Sequence, residues 1–530
     1  MEVMMSSEDS LVEQRAKEVL ATAIGVEIAS TLTIAAATTT PRAVSVDFDG
    51  DGRRTVNDLI VYDDVLAGAT WEGHGELDTL GDGVLDDRDR EALYASYSGS
   101  ATMDDLLALQ VQPAPNGLVV YVTASPNDVL PEHAQGYQRA DSIGAAMRLC
   151  QAAGGGGMIL LGQGIHDAYV GGGWQRDAMT YGGKPGSPLI IATDPQSPTR
   201  AILRLPSSVA AGARLTDGVT HVTLRGLHFV CGRGQEGVVI SGTASDINII
   251  DCIIDGGAGG SDGNGGWNGI RIEGYGPNAP GSNGVDKRPT RIAIGYNIIY
   301  GQNFGSMTSG PHCQGIYASN YGTLDIFNNV LWKCGKQGSQ FDQAIYLVHG
   351  SLTRPRVIGN FIGSPGSAAI QMRGTGYGEA GWNIGFWCNT VLGLGHPMGY
   401  RDGVWSNVRA HNNLCADPRT GPTAPAGWLI SHMAGAVNDM SHNVLRGAAG
   451  GGVVGPAAIM TSQTQGGQAA NVPVGQFTLT ALRISGEASG IEWYGELATR
   501  LGREHGLWTE HVHGTRHLIE SVRARTPLRE

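Results

Sequence analysis

From about residue 220 to 446 one pattern recurs: two apolar residues at alternate positions, a tight bend, then another apolar pair. Clear copies are Ile292-Ala-Ile294-Gly-Tyr-Asn297-Ile-Ile299, Leu324-Asp-Ile326-Phe-Asn-Asn329-Val-Leu331 and Val357-Ile-Gly-Asn360-Phe-Ile362. Further copies centre on Asn389, Asn413 and Asn443, and earlier ones place Leu227 and Cys252 at the bend, so the Asn spacings from 297 run 32, 31, 29, 24 and 30. Alternation specifies strands, and one strand cannot bury its inner face alone. A repeat of this length therefore predicts stacked coils that share one core. An Asn at the same bend of every coil can hydrogen-bond its neighbours. A third strand per coil opens on Gly or Ala: Gly237-Val-Val-Ile240, Gly269-Ile-Arg-Ile272, Gly315-Ile-Tyr-Ala318, Ala344-Ile-Tyr-Leu347 and Ala369-Ile-Gln-Met372.

The flanks fit this plan. Leu118 to Val122 and Gly157 to Leu161 read as strands, and Ile143, Ala146, Met147 and Cys150 fall on one face of a helix between them. Pro188 to Ala192 opens the coils. After Arg446 the chain turns Gly/Ala/Gln-rich, a linker composition, and residues 490–525 read as helical with Trp493, Leu497, Leu501 and Trp508 as candidate buried positions. The domain expectation is an N-terminal arm over 1–43, a calcium-loop module over 44–112, a capped solenoid over 113–446, a linker over 447–480 and a helical segment over 481–530.

Three strands per coil with one short bend resemble the right-handed parallel β-helix of the pectate-lyase-like superfamily. The strand–helix–strand start resembles the cap of many β-helix carbohydrate enzymes. The expected fold is all-β, a right-handed parallel β-helix, with small helical parts at the two ends. The resemblance implies that the outward face of the third strand and the loops beside it carry the site. Alternation along that strand puts Ser241, Arg271, Glu273, Tyr317, Ser319, Tyr346, Gln371 and Arg373 on one outward stripe, a track shaped for a polysaccharide. Neighbouring long loops contribute His312, Lys336, Asp342, His396, Arg401 and Asp402.

Elimination from a uronate polymer needs a base, a cation to neutralise the carboxylate, and a proton for the departing oxygen. Arg271 and Arg373 are the candidate cations; His312, Lys336, Tyr317 and Tyr346 are the candidate proton carriers; Glu273, Gln371 and Asp342 are candidate substrate contacts. Tyr317 and Tyr346 serve equally well as stacking platforms for sugar rings. Hydrolysis requires paired carboxylates about 5 to 9.5 Å apart, and Glu273 is the one acid predicted on the stripe.

Composition narrows the field. The 81 Gly among 530 residues, with no Gly-X-Y period and 41% hydrophobic residues, exclude collagen and disorder, and 16% charged residues exclude long helical arrays. The net charge of −13 is concentrated: residues 1–110 carry 22 acids against 7 bases, while the rest is nearly balanced. Nucleic acid is not an expected partner. Seven cysteines without a CxxC indicate neither a disulfide framework nor a zinc site.

The acidic segment holds its own chemistry. Asp47, Asp49, Asp51 and Asp58 occupy positions 1, 3, 5 and 12 of a twelve-residue loop, with Gly52 at position 6 for the turn. A second copy places Asp78, Asp82 and Asp89 at positions 1, 5 and 12, with Gly83 at 6. Two such loops resemble the duplicated calcium repeat of dockerin modules, with departures at Arg54, at Leu80 and in the wide separation between the loops. The resemblance implies bound Ca2+ and a cohesin-like docking partner; calcium that only folds the module is the other reading. No basic n-region precedes an apolar run and no stretch is long enough to span a membrane. The expected location is extracellular or on a virion surface. The expected activity is that of a polysaccharide lyase on an acidic glycan, with a glycoside hydrolase or a non-catalytic glycan-binding fibre, tailspike or adhesin as alternatives.

Because the acidic ligands cluster in one segment, chelation of divalent ions is expected to unfold residues 44–100 and leave the solenoid folded. Calorimetry on Asp47→Ala/Asp51→Ala should find one calcium fewer per chain; unchanged stoichiometry would refute the ligand assignment.

Overall fold

The computed structural model describes residues 117–167, 170, 181–232, 234–256, 268–275, 287–301, 313–335, 342–348, 354–363, 366–373, 378–381, 383–386, 390–394, 408–411, 413–416, 428–432, 437–441, 444–445 and 453–454. The expected calcium module and the C-terminal helical segment lie outside the described residues.

Strands stack into three parallel sheets, here A, B and C, and the chain visits them in that order once per coil. One coil runs through Thr290–Gly295 in sheet A, Ile298–Tyr300 in sheet B and Gln314–Ser319 in sheet C, then returns to sheet A at Thr323–Phe327. Among the described residues, sheet A has 12 strands, B has 10 and C has 9. This is a parallel β-helix. Sheet C extends to Val453–Val454, which pairs with Trp428–His432, so the solenoid runs past residue 446.

The register carries side chains into continuous rows. On the inner face of sheet A, Ile159, Ile191, Leu224, Ile249, Ile294 and Ile326 follow one another in adjacent coils, and all are buried. Each such burial contributes about 1.5 to 3 kcal/mol. The Gly that opens a sheet C strand has a steric cause: a Cβ on Gly269 would lie 2.5 Å from the Gly315 carbonyl oxygen and 2.5 Å from Ile299 Cγ2. A larger side chain there would push the corner off the core.

The bend between sheets A and B is held by a buried amide ladder. Asn329 Oδ1 accepts from the Asn297 backbone N–H at 3.0 Å and from Asn297 Nδ2 at 2.9 Å, while Asn329 Nδ2 donates to the Ile294 carbonyl at 2.8 Å and to Asn360 Oδ1 at 3.0 Å. The same pattern runs through Asn360 and Asn383 to Asn413. Its first rung is the Cys252 N–H, which donates to Asn297 Oδ1. The residue before the Asn takes a left-handed conformation, as at Tyr296 and Asn328. The ladder corrects one expectation: after Asn360 the bend falls at Asn383, 23 residues on, and not at Asn389, which lies outside the described residues.

At the N-terminal end, the helix Ile143–Ala152 starts at Ser142, whose Oγ accepts from the Ala145 N–H at 3.2 Å. Its buried face, Ile143, Ala146, Met147 and Cys150, joins the solenoid core and closes it. Strands Val119–Val122 and Gly157–Leu161 continue sheet A, with Gln138–Ala140 as its edge.

Asn329→Ala would strip partners from the buried Asn297 N–H and the Ile294 carbonyl. A loss of about 3 kcal/mol or more is expected, read from the unfolding midpoint of sheet signal; a loss below about 0.5 kcal/mol, the range of neutral surface changes, would contradict the ladder's role.

Candidate functional site

The outward face of sheet C presents side chains at every second position. Arg271 pairs in register with Tyr317, Tyr317 with Tyr346, and Tyr346 with Gln371, so these four occupy one row in four successive coils, about 4.8 Å apart. Ser241, Glu273 and Ser319 form the next row. Arg373 follows Gln371 by two places, its N–H donating to the Leu347 carbonyl at 2.7 Å.

The row divides into an ionic half and an aromatic half. Arg271, with 30% of its side chain exposed, places Nη1 2.9 Å from Glu273 Oε2 and Nε 2.9 Å from Glu236 Oε1; the Nε contact is bent, an ion pair more than a hydrogen bond. Glu236 is the partner that sequence reading missed. It sits one residue before the strand-opening Gly237, with 4% of its side chain exposed, and accepts from Asn268 Nδ2 at 2.9 Å. Burial pushes the Glu236 carboxyl up from its ordinary value, and the Arg271 charge pulls it back. Two carboxylates thus share one guanidinium.

In the aromatic half, the Tyr317 and Tyr346 rings lie 5.9 Å apart at 51°, and the Arg373 guanidinium sits 5.1 Å above the Tyr346 ring centre. Burial raises the Tyr317 phenol above the usual tyrosine range; a hydrogen bond with Ser319 opposes this, Glu273 adds to it, and Arg271 opposes it. Burial thus favours the protonated phenol. Tyr346 is 9% exposed and Gln371 is also buried, its Oε1 accepting from Gln343 Nε2 at 2.6 Å. The track is therefore tighter at these two coils than simple alternation implies.

Asp342 departs from its expected place. It is fully buried, and its Oδ1 accepts from the Cys313 N–H at 2.5 Å, which fastens one coil to the next instead of offering the carboxylate to a substrate. His312 and Lys336 lie outside the described residues, as do Asp47, Asp49, Asp51, Asp58, Asp78, Asp82 and Asp89. Among the described residues no group of three or more His, Cys, Asp or Glu is placed to hold a metal ion, and no helix is long and apolar enough to cross a membrane.

No protein-family description matches the chain, and no curated protein matches it by sequence. Solved structures give distant likenesses. One is a pectate lyase, Pel9A, with 13% identity over 62% of this chain and 81% of that one at a TM-score of 0.37. A second is a rhamnogalacturonan lyase, with 12% identity over 61% and 85% at 0.34. A third is the Dettilon tailspike protein, with 14% identity over 65% and 68% at 0.27. At such scores the β-helix assignment rests on the three sheets themselves.

The Glu236–Arg271 contact changes what an outward substitution should do. Arg271→Ala would leave a buried carboxylate without its cation, at a cost of about 3 to 5 kcal/mol. Adding Glu236→Gln to Arg271→Ala should recover most of that loss in thermal unfolding. An Arg271→Ala protein as stable as the parent would show that the pair carries no structural load.

Proposed function

We propose that this chain is an extracellular or virion-surface carbohydrate-active protein that binds an acidic glycan along the outer face of sheet C and cleaves it by β-elimination. The observation that carries the reading is the in-register row itself: a guanidinium, two phenols and an amide, Arg271, Tyr317, Tyr346 and Gln371, in successive coils of sheet C, with a second guanidinium, Arg373, packed over the Tyr346 ring. The coil spacing of about 4.8 Å suits a polymer lying along the solenoid axis.

Elimination removes the proton on the carbon beside the uronate carboxylate, its electron pair forms the new double bond, and the glycosidic oxygen departs with a proton. Arg271 is held between Glu236 and Glu273, and Arg373, packed over the Tyr346 ring, is the cation assigned to the substrate carboxylate. Tyr317 holds its phenolic proton and is assigned to the departing oxygen. Tyr346, His312 or Lys336 is the base. The calcium loops with Asp47 and Asp78 are a folding or docking module, with a cohesin-like domain as the partner their sequence implies.

One observation favours a second reading. Arg271 holds two carboxyl groups, Glu236 and Glu273, and glycoside hydrolysis uses a carboxyl pair about 5 to 9.5 Å apart. Hydrolysis would yield reducing ends with no unsaturated sugar.

A panel of uronate polysaccharides, assayed in parallel for unsaturated product, reducing ends and binding, separates the readings. The lyase reading expects unsaturated product from one polymer. It also expects a loss of about 100-fold or more in rate for Tyr317→Phe and Arg373→Ala, with both proteins still folded. Reducing ends without unsaturation would favour the hydrolase, and binding without either product would leave a non-catalytic glycan-binding protein.

A further inference from the structure

Tyr275 is the one large aromatic side chain among the described residues that stands exposed, at 46%. It follows Glu273 by two places at the end of the sheet C strand Asn268–Glu273. The backbone between them is pinned. The Gly274 N–H donates to the Ser319 carbonyl at 2.9 Å and so extends the parallel ladder by one residue. A Cβ on Gly274 would lie 2.0 Å from the Asn320 carbonyl oxygen and 2.8 Å from the Lys287 carbonyl oxygen. Gly274 is thus pressed against neighbouring backbone. Tyr275 stands just past the strand end, two residues beyond Glu273, with its side chain exposed.

The backbone of Tyr275 is clamped from the other side as well. Its N–H donates to the Lys287 carbonyl at 2.8 Å, and the Lys287 N–H donates back to the Tyr275 carbonyl at 2.9 Å, an isolated antiparallel bridge. Residues directly opposed in such a bridge project their side chains to the same face, with Cβ atoms about 5 Å apart. An exposed phenol ring and an ammonium group therefore stand side by side. The Lys287 Nζ lies 3.4 Å from Asp217 Oδ2, and both side chains are well exposed, so the pair is a weak, solvent-screened one that a substrate carboxylate can replace.

An exposed ring on a doubly pinned backbone loses little freedom when something packs on it. The flat face of a sugar ring fits a phenol, and a carboxylate on that ring fits the ammonium beside it. We infer that Tyr275 and Lys287 form a uronate subsite at the edge of the sheet C track, with the sugar ring stacked on Tyr275 and its carboxylate paired with Lys287. The inference rests on the glycan-binding reading of sheet C and adds a specific anchor to it; it does not depend on which bond is cleaved.

The test uses the full chain and short oligomers of galacturonate, glucuronate, mannuronate and guluronate, each beside its methyl ester, which keeps the ring and removes the charge. Binding is followed by calorimetry. For the oligomer that binds, Tyr275→Ala is expected to weaken both forms by about fivefold or more, and Tyr275→Phe to change neither appreciably. Lys287→Gln is expected to weaken the free acid by about threefold and leave the ester unchanged. Unfolding temperatures should match the parent, since both side chains are exposed. If the parent binds and Tyr275→Ala binds equally well, or if Lys287→Gln weakens acid and ester alike, this subsite is wrong and the sheet C reading stands. If the parent binds none of the oligomers, the uronate reading of sheet C falls and the subsite falls with it.

Discussion

Parallel pairing of each coil with the next is the interaction on which the rest of this molecule depends. No coil here has a core of its own; the inner row from Ile159 to Ile326 becomes a core only when it is stacked. Stacking at strand distance demands that every coil turn its corners in the same place. The amide ladder Asn297, Asn329, Asn360, Asn383, Asn413 enforces this at one corner, because each side chain satisfies backbone groups of the coil before it. At the start of sheet C the constraint is steric: Gly237, Gly269 and Gly315 stand in one row where backbone and core side chains approach too closely for a Cβ.

The same register builds the outer face. Once inner rows are locked, outward residues two apart are carried into rows of their own, and Arg271, Tyr317, Tyr346 and Gln371 meet without any local reason to do so. What surrounds them then sets their chemistry. Buried Glu236, beside the opening Gly237, and the partly exposed Glu273 both meet Arg271. Arg271 is consequently a strut held between two carboxylates. Arg373 packs on the Tyr346 ring.

Much of this was readable in the chain before its structure. Alternation and the recurring Asn identified the solenoid, and the Gly/Ala openings located sheet C and its outward residues. Asn383 is hard to recognise in the sequence because its coil is short and its sheet A strand, Gly378–Gly381, carries a single apolar side chain, Ala380. Asn389 looked better only because Thr-Val-Leu follows it, and that run is a sheet C strand, Thr390–Leu394. Glu236 was missed because a charged residue ahead of a Gly reads as loop, and only the corner geometry turns it towards Arg271. Asp342 was misjudged for the opposite reason: a charged residue in a loop reads as exposed, whereas here it closes a backbone hydrogen bond between coils. Periodicity reports rows, and rows do not report which polar side chains the corners bury.

The central claim is that an acidic glycan lies along sheet C, across the coils that carry Arg271, Tyr317, Tyr346 and Gln371. A crystal structure of the full chain with a bound uronate oligomer tests it most directly. The account predicts successive sugar rings along that row, with a carboxylate at Arg373. An oligomer seated on sheet A or sheet B, or across the end of the solenoid, would contradict it.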